Sequence, residues 1–231
     1  MGNHLNKPVC IDFFGLPGCG KSTLSHLASQ KLSFEGLDVR EVSYDMDHGN
    51  GSLLRTWKKI IATIKLLLCY PRLFWRVSKT LSTNGISLIS KLYFKHIINL
   101  SYKICALKGH HDIILFDEGF CQTVLSISLN NDGIRNDCYD SLISAIASDR
   151  RMINVYMKTV PDTALARIRV RNDGQSRFDS LSDDATKKEL VKMEKLCGSL
   201  PQTVVVENNN NENVEKLVDQ ISTGISKEIV S

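Results

Sequence analysis

Apolar residues in this chain fall into short continuous runs, separated by longer stretches in which they recur every three or four positions. Val9-Cys10-Ile11-Asp12-Phe13-Phe14 is the first run and predicts a buried strand. Gly15 to Gly20 reads as a glycine-rich turn. Leu24, Leu27, Ala28 and Leu32 then repeat at helical spacing, which predicts a helix from Lys21 to about Leu32. After Gly36, Val39 to Tyr44 predicts a second strand ending in Asp45. Further strands are expected at His111 to Asp117, Ile153 to Met157 and Thr203 to Val206. Helical patterns cover Arg135 to Ser148, Pro161 to Asn172, Asp183 to Cys197 and Asn213 to Ile229. Strands that alternate with helices must run parallel, so the pattern predicts an α/β fold: a five-stranded parallel sheet with helices on both faces, in three layers.

Residues 52–109 break this alternation. Leu53, Trp57, Ile60, Ile61, Ile64, Leu67 and Leu68, and later Ile89, Leu92, Tyr93, Ile97, Leu100 and Ile104, lie at helical intervals, with Pro71 and Gly85 as breaks. The segment reads as a three-helix insert between the second and third strands.

At 231 residues, the chain is the size of one α/β domain with a helical elaboration, and a single domain over 1–231 is expected. Hydrophobic residues make up 42% and charged residues 23%, as in globular proteins, and the only biased stretch, Asn208 to Asn211, is short enough for a turn. Seven scattered cysteines without a C-x-x-C pair argue against a disulfide framework and a zinc site. Met1 to Pro8 lacks the layout of a secretory signal, and no apolar run is long enough to cross a bilayer. A cytoplasmic location is expected.

Gly15-Leu16-Pro17-Gly18-Cys19-Gly20-Lys21-Ser22 fits G-x-x-x-x-G-K-[ST] between a strand and a helix. Such a loop turns its backbone N–H groups toward phosphate oxygens, and the helix N-terminus adds partial positive charge. The expected nucleotide contacts are Gly15, Pro17, Gly18, Cys19, Gly20, Lys21, Ser22 and Thr23. Lys21 reaches the β and γ phosphates of ATP or GTP, and the Ser22 hydroxyl takes magnesium. Asp117 closes an apolar strand where P-loop proteins carry a magnesium-holding aspartate, followed by Glu118 and Gly119. The expected architecture is the P-loop NTPase fold. No N-K-x-D segment is present to read guanine, which argues against a switch GTPase. The chain is also short for a large mechanical ATPase.

After the fourth strand, Ala164-Leu165-Ala166-Arg167-Ile168-Arg169-Val170-Arg171 leads into a polar stretch with Gly174 and Arg177. Arg167 and Arg171, four apart, share a helix face. Together with the phosphate loop, the Asp117 strand and the final strand and helix, this segment resembles the nucleoside monophosphate kinase superfamily. It is most similar to thymidylate kinases, over roughly half of the chain. The resemblance implies an ATP-dependent phosphotransferase in which residues 167–182 form a lid, Arg167 and Arg171 clamp phosphates and Arg177 closes over them. Arg169 reads as the solvated side of that helix. Thymidylate kinases carry D-R-[YFH] after the third strand. This chain has Asp117-Glu118-Gly119-Phe120, so the arginine that grips the acceptor's phosphate has no counterpart. Asp45 and Glu118 are the two expected carboxylates for the acceptor.

Of the chain's 29 Lys and Arg, eleven lie between His48 and His111 and none of its 25 acidic residues does, leaving 18 basic against 25 acidic elsewhere. The positive field of the insert suits an anionic small-molecule acceptor. Trp57 to Leu81 also has the makeup of an interfacial helix, so peripheral contact with an anionic membrane stands beside ordinary packing on the core. No nucleic-acid motif accompanies the charge. The rival to a kinase is a regulatory protein in which bound nucleotide sets the conformation of the insert.

Overall fold

The computed structural model describes residues 8–47, 51–130, 137–146, 150–171, 178, 180–209 and 213–230; the side chains of 45–47, 52, 130, 137 and 230 are outside that description. Five strands, β1 (Val9–Gly15), β2 (Val39–Glu41), β3 (Ile113–Phe116), β4 (Arg151–Lys158) and β5 (Val204–Glu207), form one parallel sheet in the order β2-β3-β1-β4-β5. Every residue of β1 is buried, so both faces of the central strand are covered, as a continuous apolar run requires. Helices α1 (Lys21–Phe34) and α10 (Val214–Val230) pack together and against the sheet. Helices α6 (Phe120–Asn130) and α9 (Asp183–Ser199) pack on each other and on β1, and α8 (Pro161–Arg171) lies against α9.

The insert is three helices, α3 (Ser52–Cys69), α4 (Pro71–Thr83) and α5 (Lys91–Leu107), broken at Pro71 and around Gly85 as their residue types demand. Proline at the first position of α4 lacks the N–H that helix ends leave unpaired in any case. The buried Arg150 fixes the end of this insert to the sheet. Its guanidinium donates to the carbonyls of Leu107 (2.7 Å), Gly109 (2.7 Å) and His111 (3.0 Å). Among the described residues no helix is long and apolar enough to cross a membrane, and no two cysteines are joined by a disulfide.

Two elements depart from expectation. The second strand stops at Glu41, and Val42–Asp47 forms a short helix, α2, so Asp45 is borne by a helix and does not end a strand. As an edge strand, β2 pairs only with β3, in register Val39↔Ile113 to Glu41↔Leu115. With β3 ending at Phe116, the chain beyond Val42 has nothing left to pair with. The helix α6 was not expected from the apolar, β-branched run Cys121 to Leu129. It is buried on most sides, which removes the polar stripe by which helices are recognised. Of the helix expected over Arg135 to Ser148, α7 (Asp137–Ile146) is present, and 135–136 and 147–148 lie outside the described residues.

Candidate active site

The loop between β1 and α1 is shaped by two glycines in the left-handed region, Gly18 (φ 77°) and Gly20 (φ 90°). Neither could carry a side chain. A Cβ on Gly18 would lie 2.9 Å from the Ala164 carbonyl of α8, and one on Gly20 would lie 2.9 Å from Asn208 Nδ2. The loop is therefore held from outside by α8 and by the corner after β5.

Asn208 is the centre of that hold. This buried side chain donates to the Cys19 carbonyl (2.9 Å) and accepts from Arg167 Nη2 (3.2 Å), while its backbone carbonyl accepts from Arg167 Nη1 (3.0 Å) and Thr159 Oγ1 (3.1 Å). The sequence around Asn208 predicts only a turn, since its partners lie up to 189 residues away and leave no local signal. Arg167, expected to clamp phosphates, is in this structure bound to the corner beneath the loop, and its edge still lines the cavity described below. Arg169 is not a solvated helix face. It donates to Asp183 Oδ1 (2.7 Å) and to the carbonyls of Phe178 (3.0 Å) and Leu181 (2.7 Å), strapping the start of α9 to α8.

Lys21 is buried, and its ammonium folds back on the loop, donating to the carbonyls of Gly15 (3.2 Å) and Leu16 (3.0 Å). Burial pulls its pKa down; Cys19, Glu118, Cys197 and Asp117 more than offset this and leave it above the ordinary lysine value. Ser22 Oγ donates to Asp117 Oδ2 at 2.8 Å. Two neighbouring ligands of an octahedral magnesium, each about 2.1 Å from the ion, lie about 3.0 Å apart, and both groups here are hard oxygen donors. The pair therefore fits magnesium. No cluster of three His, Cys, Asp or Glu exists among the described residues, so the remaining ligands would be phosphate oxygens and water.

Two cavities meet here. The larger, about 900 Å³, is lined by Pro17, Gly18, Gly20, Lys21, Ser22 and Thr23 of the loop, by Arg167 and Arg171 of α8, and by Lys95, Gln122 and Glu118. Gly15 and Cys19 sit behind it: Gly15 N–H donates to Gln122 Oε1 (3.4 Å), and Cys19 is fully buried. The smaller, about 590 Å³, lies between α3, α5 and the ends of β2 and β3. It is lined by Arg55 and Lys59 of α3, Asn99, Tyr102 and Lys103 of α5, and Ser22, Asp117 and Glu118. Ser22 and Glu118 border both spaces. Arg177 and the Asp45 side chain lie outside the described residues.

Beneath the acidic pair is a buried charged group that sequence reading did not single out. Asp12 of β1 is fully buried and accepts from Cys121 N–H (2.8 Å); its Oδ1 has no hydrogen-bond partner among the described residues. Lys103 reaches in from α5 and donates to the Gly119 carbonyl (2.8 Å) and Thr123 Oγ1 (3.1 Å). Burial lowers the Lys103 pKa against the opposing charges of Asp12, Glu118 and Asp117. Burial also pushes Asp12 up to about 6 from 3.8, against the pull of the Cys121 N–H and Lys103. A carboxyl raised on folding favours the native state while it is protonated. Its contribution is full below about pH 4 and is lost as pH rises through 6, worth about 3 kcal/mol across that window. In urea melts from pH 4 to 7, the stability of the native chain relative to Asp12→Asn is expected to fall by that amount; a pH-independent difference would show that Asp12 is not titrating there.

No protein-family model matches the chain, and no curated protein matches it in sequence. In three dimensions it is similar to the deoxyadenosine kinase of M. mycoides solved with bound dCTP, with a TM-score of 0.51 and 17% identity over 95% of this chain and 100% of that one. A likeness at that identity carries the fold. The all-parallel five-stranded sheet wrapped in helices, with the phosphate loop leaving its central strand, is the fold of P-loop kinases.

Proposed function

We propose that this chain transfers the γ-phosphoryl group of ATP to an anionic small molecule, in a magnesium-dependent reaction between the two cavities. The observation that carries the reading is their common border at Ser22 and Glu118, since a phosphotransferase must bring two bound molecules face to face at one phosphorus. The donor's phosphates lie along the loop, with Lys21 turned from its carbonyls onto the β and γ oxygens. Ser22 and Asp117 would hold magnesium, which would supply charge neutralisation for the transferring phosphates. The acceptor lies against α3 and α5, where Arg55, Lys59 and Lys103 offer three cationic groups and Asn99 and Tyr102 offer hydrogen bonds. An acceptor oxygen forms the new bond to the γ-phosphorus as the bond to the bridging oxygen breaks and ADP leaves. Glu118, or Asp45 from α2, orients that oxygen and takes its proton where it carries one. Arg171 matches the charge that spreads over the transferring group.

The acceptor is narrowed by charge and not by name. The thymidylate-kinase likeness of the lid helix supports a nucleotide. The missing arginine after Asp117 is answered in space by Arg55, Lys59 and Lys103, which come from a different part of the chain. ADP formation from magnesium ATP should be measured across nucleosides, nucleoside monophosphates, sugar phosphates and glycolipid precursors, with Lys21→Ala as the blank. Stimulation by an anionic member, abolished in the blank, is the expected result; slow hydrolysis indifferent to every acceptor would favour the regulatory rival. With the stimulating acceptor in hand, Arg55→Gln combined with Lys59→Gln is expected to raise its KM at least about tenfold while leaving the KM for ATP unchanged. A parallel rise in both would move these side chains out of the acceptor site.

A further inference from the structure

The helix α3 has two apolar sides, and only one is used. Ala62 and Leu66 are buried where the helix packs on α5. On the other side Leu53, Leu54, Trp57, Ile61, Ile64 and Leu68 are all exposed, Leu53 by 78%, Leu68 by 73% and Trp57 by 61%. At about 100° per residue, these six fall within one arc of about 100°, so they form a continuous stripe and not a scatter. The ordinary expectation, that the apolar face of an amphipathic helix turns to the core, holds for Ala62 and Leu66 and fails for this stripe. A contiguous apolar face of this kind on a folded chain marks an interaction surface.

Charge says what covers it. Lys58 and Lys65 are exposed along one edge of the stripe, and Arg72, Arg76 and Lys79 continue the positive charge on α4 next to the exposed Trp75. No acidic residue occurs anywhere between His48 and His111. A protein partner would be expected to meet directional polar groups that fix its register, whereas the stripe offers only hydrocarbon and one indole. A convex, apolar helix face edged by flexible lysines suits a fluid surface with negative charge and an apolar interior just beneath it.

We propose that the outward face of α3 lies in the headgroup region of an anionic phospholipid bilayer, its axis parallel to the membrane over a length of about 27 Å. Leu53, Ile61, Ile64 and Leu68 reach the acyl boundary, and Lys58 and Lys65 meet lipid phosphates. The proposal is independent of phosphoryl transfer and is tested without it.

The full chain would be sedimented with vesicles of phosphatidylglycerol and phosphatidylcholine in equal parts, and with phosphatidylcholine alone, at physiological salt. Binding is expected to the first and to be at least about tenfold weaker to the second. The chain's only tryptophans are Trp57 and Trp75, so Trp75→Phe leaves Trp57 as sole reporter, with a blue shift and quenching by brominated lipid expected. Ile61→Asp combined with Leu68→Asp should abolish binding without changing the thermal melt, since both positions face outward. Failure to sediment with either vesicle, or an unshifted Trp57 in the bound fraction, would overturn the proposal. So would concentration-dependent dimers lost in the double variant, because a second copy of the chain would then be the occupant.

Discussion

Lys21→Ala is expected to reduce acceptor-stimulated ADP formation by about 10²- to 10³-fold, the range found when one preorganised charge is removed from the site where transition-state charge develops. Two features of its surroundings make this the most severe functional substitution. The ammonium is buried yet holds its proton, because Cys19, Glu118, Cys197 and Asp117 more than offset the cost of burial, so in the proposed reaction it would meet the phosphates as a full charge. Its present partners are the carbonyls of Gly15 and Leu16 and, more distantly, Cys19 Sγ, which it can leave for stronger phosphate acceptors. Truncation also strands those carbonyls, costing about 1–3 kcal/mol of stability. The melt therefore separates two outcomes. A modest fall in Tm with turnover lost places Lys21 at the reacting phosphates; retained turnover would remove it from the chemistry.

The largest expected effect on stability belongs to Gly119→Ala, at about 2–3 kcal/mol or more. An added Cβ would lie 2.2 Å from Asp12 Oδ1 and 2.5 Å from its Cγ, too close for any shift of the methyl alone to relieve. Nor can Asp12 move away: it sits in the central strand, fully buried, bonded to Cys121 N–H. The clash is between two named side chains, so the penalty should shrink by more than 1 kcal/mol when Gly119→Ala is placed in an Asp12→Ala background. Equal penalties in both backgrounds, measured by urea unfolding, would locate the cause in the backbone of the turn and not in the carboxylate. The turn matters because it carries Asp117 and Glu118 to the site and starts α6.

Gly119 also illustrates what a reader of the sequence can and cannot see. Nothing in the residues around Gly119 marks its constraint, which is a carboxylate 107 positions earlier in the chain. The course of the glycine-rich loop between β1 and α1 was legible because its strand, glycines, lysine and helix are contiguous, so one local pattern specifies all of it. The three insert helices were legible for the same reason, with Pro71 and Gly85 marking their ends. What stayed hidden depends on tertiary neighbours. Burial of α6 on most sides erased its periodicity. The truncation of β2, which moved Asp45 onto α2, follows from where β3 ends. Asn208, Lys103, Arg55 and Lys59 carry no local signature at all, since each acquires its place only when α3, α5 and the β5 corner close around the loop. Arg169 reads as solvated in the sequence because its four acceptors, on Phe178, Leu181, Asp183 and Thr186, all lie beyond the helix that bears it.

The route of the chain through the sheet also sets an order of assembly. β1 is made first during synthesis but finds its partners late: Val9 pairs with Ile113 on one side and with Arg151 on the other, and the loop that follows is tied to Asn208. Contacts of such long sequence separation form slowly, because closing each intervening segment costs entropy before any pairing rewards it. The nascent glycine-rich loop thus remains without its tether until Asn208 has been made. Refolding should show the same lag, with helical signal returning first and nucleotide binding only once the β5 corner has docked.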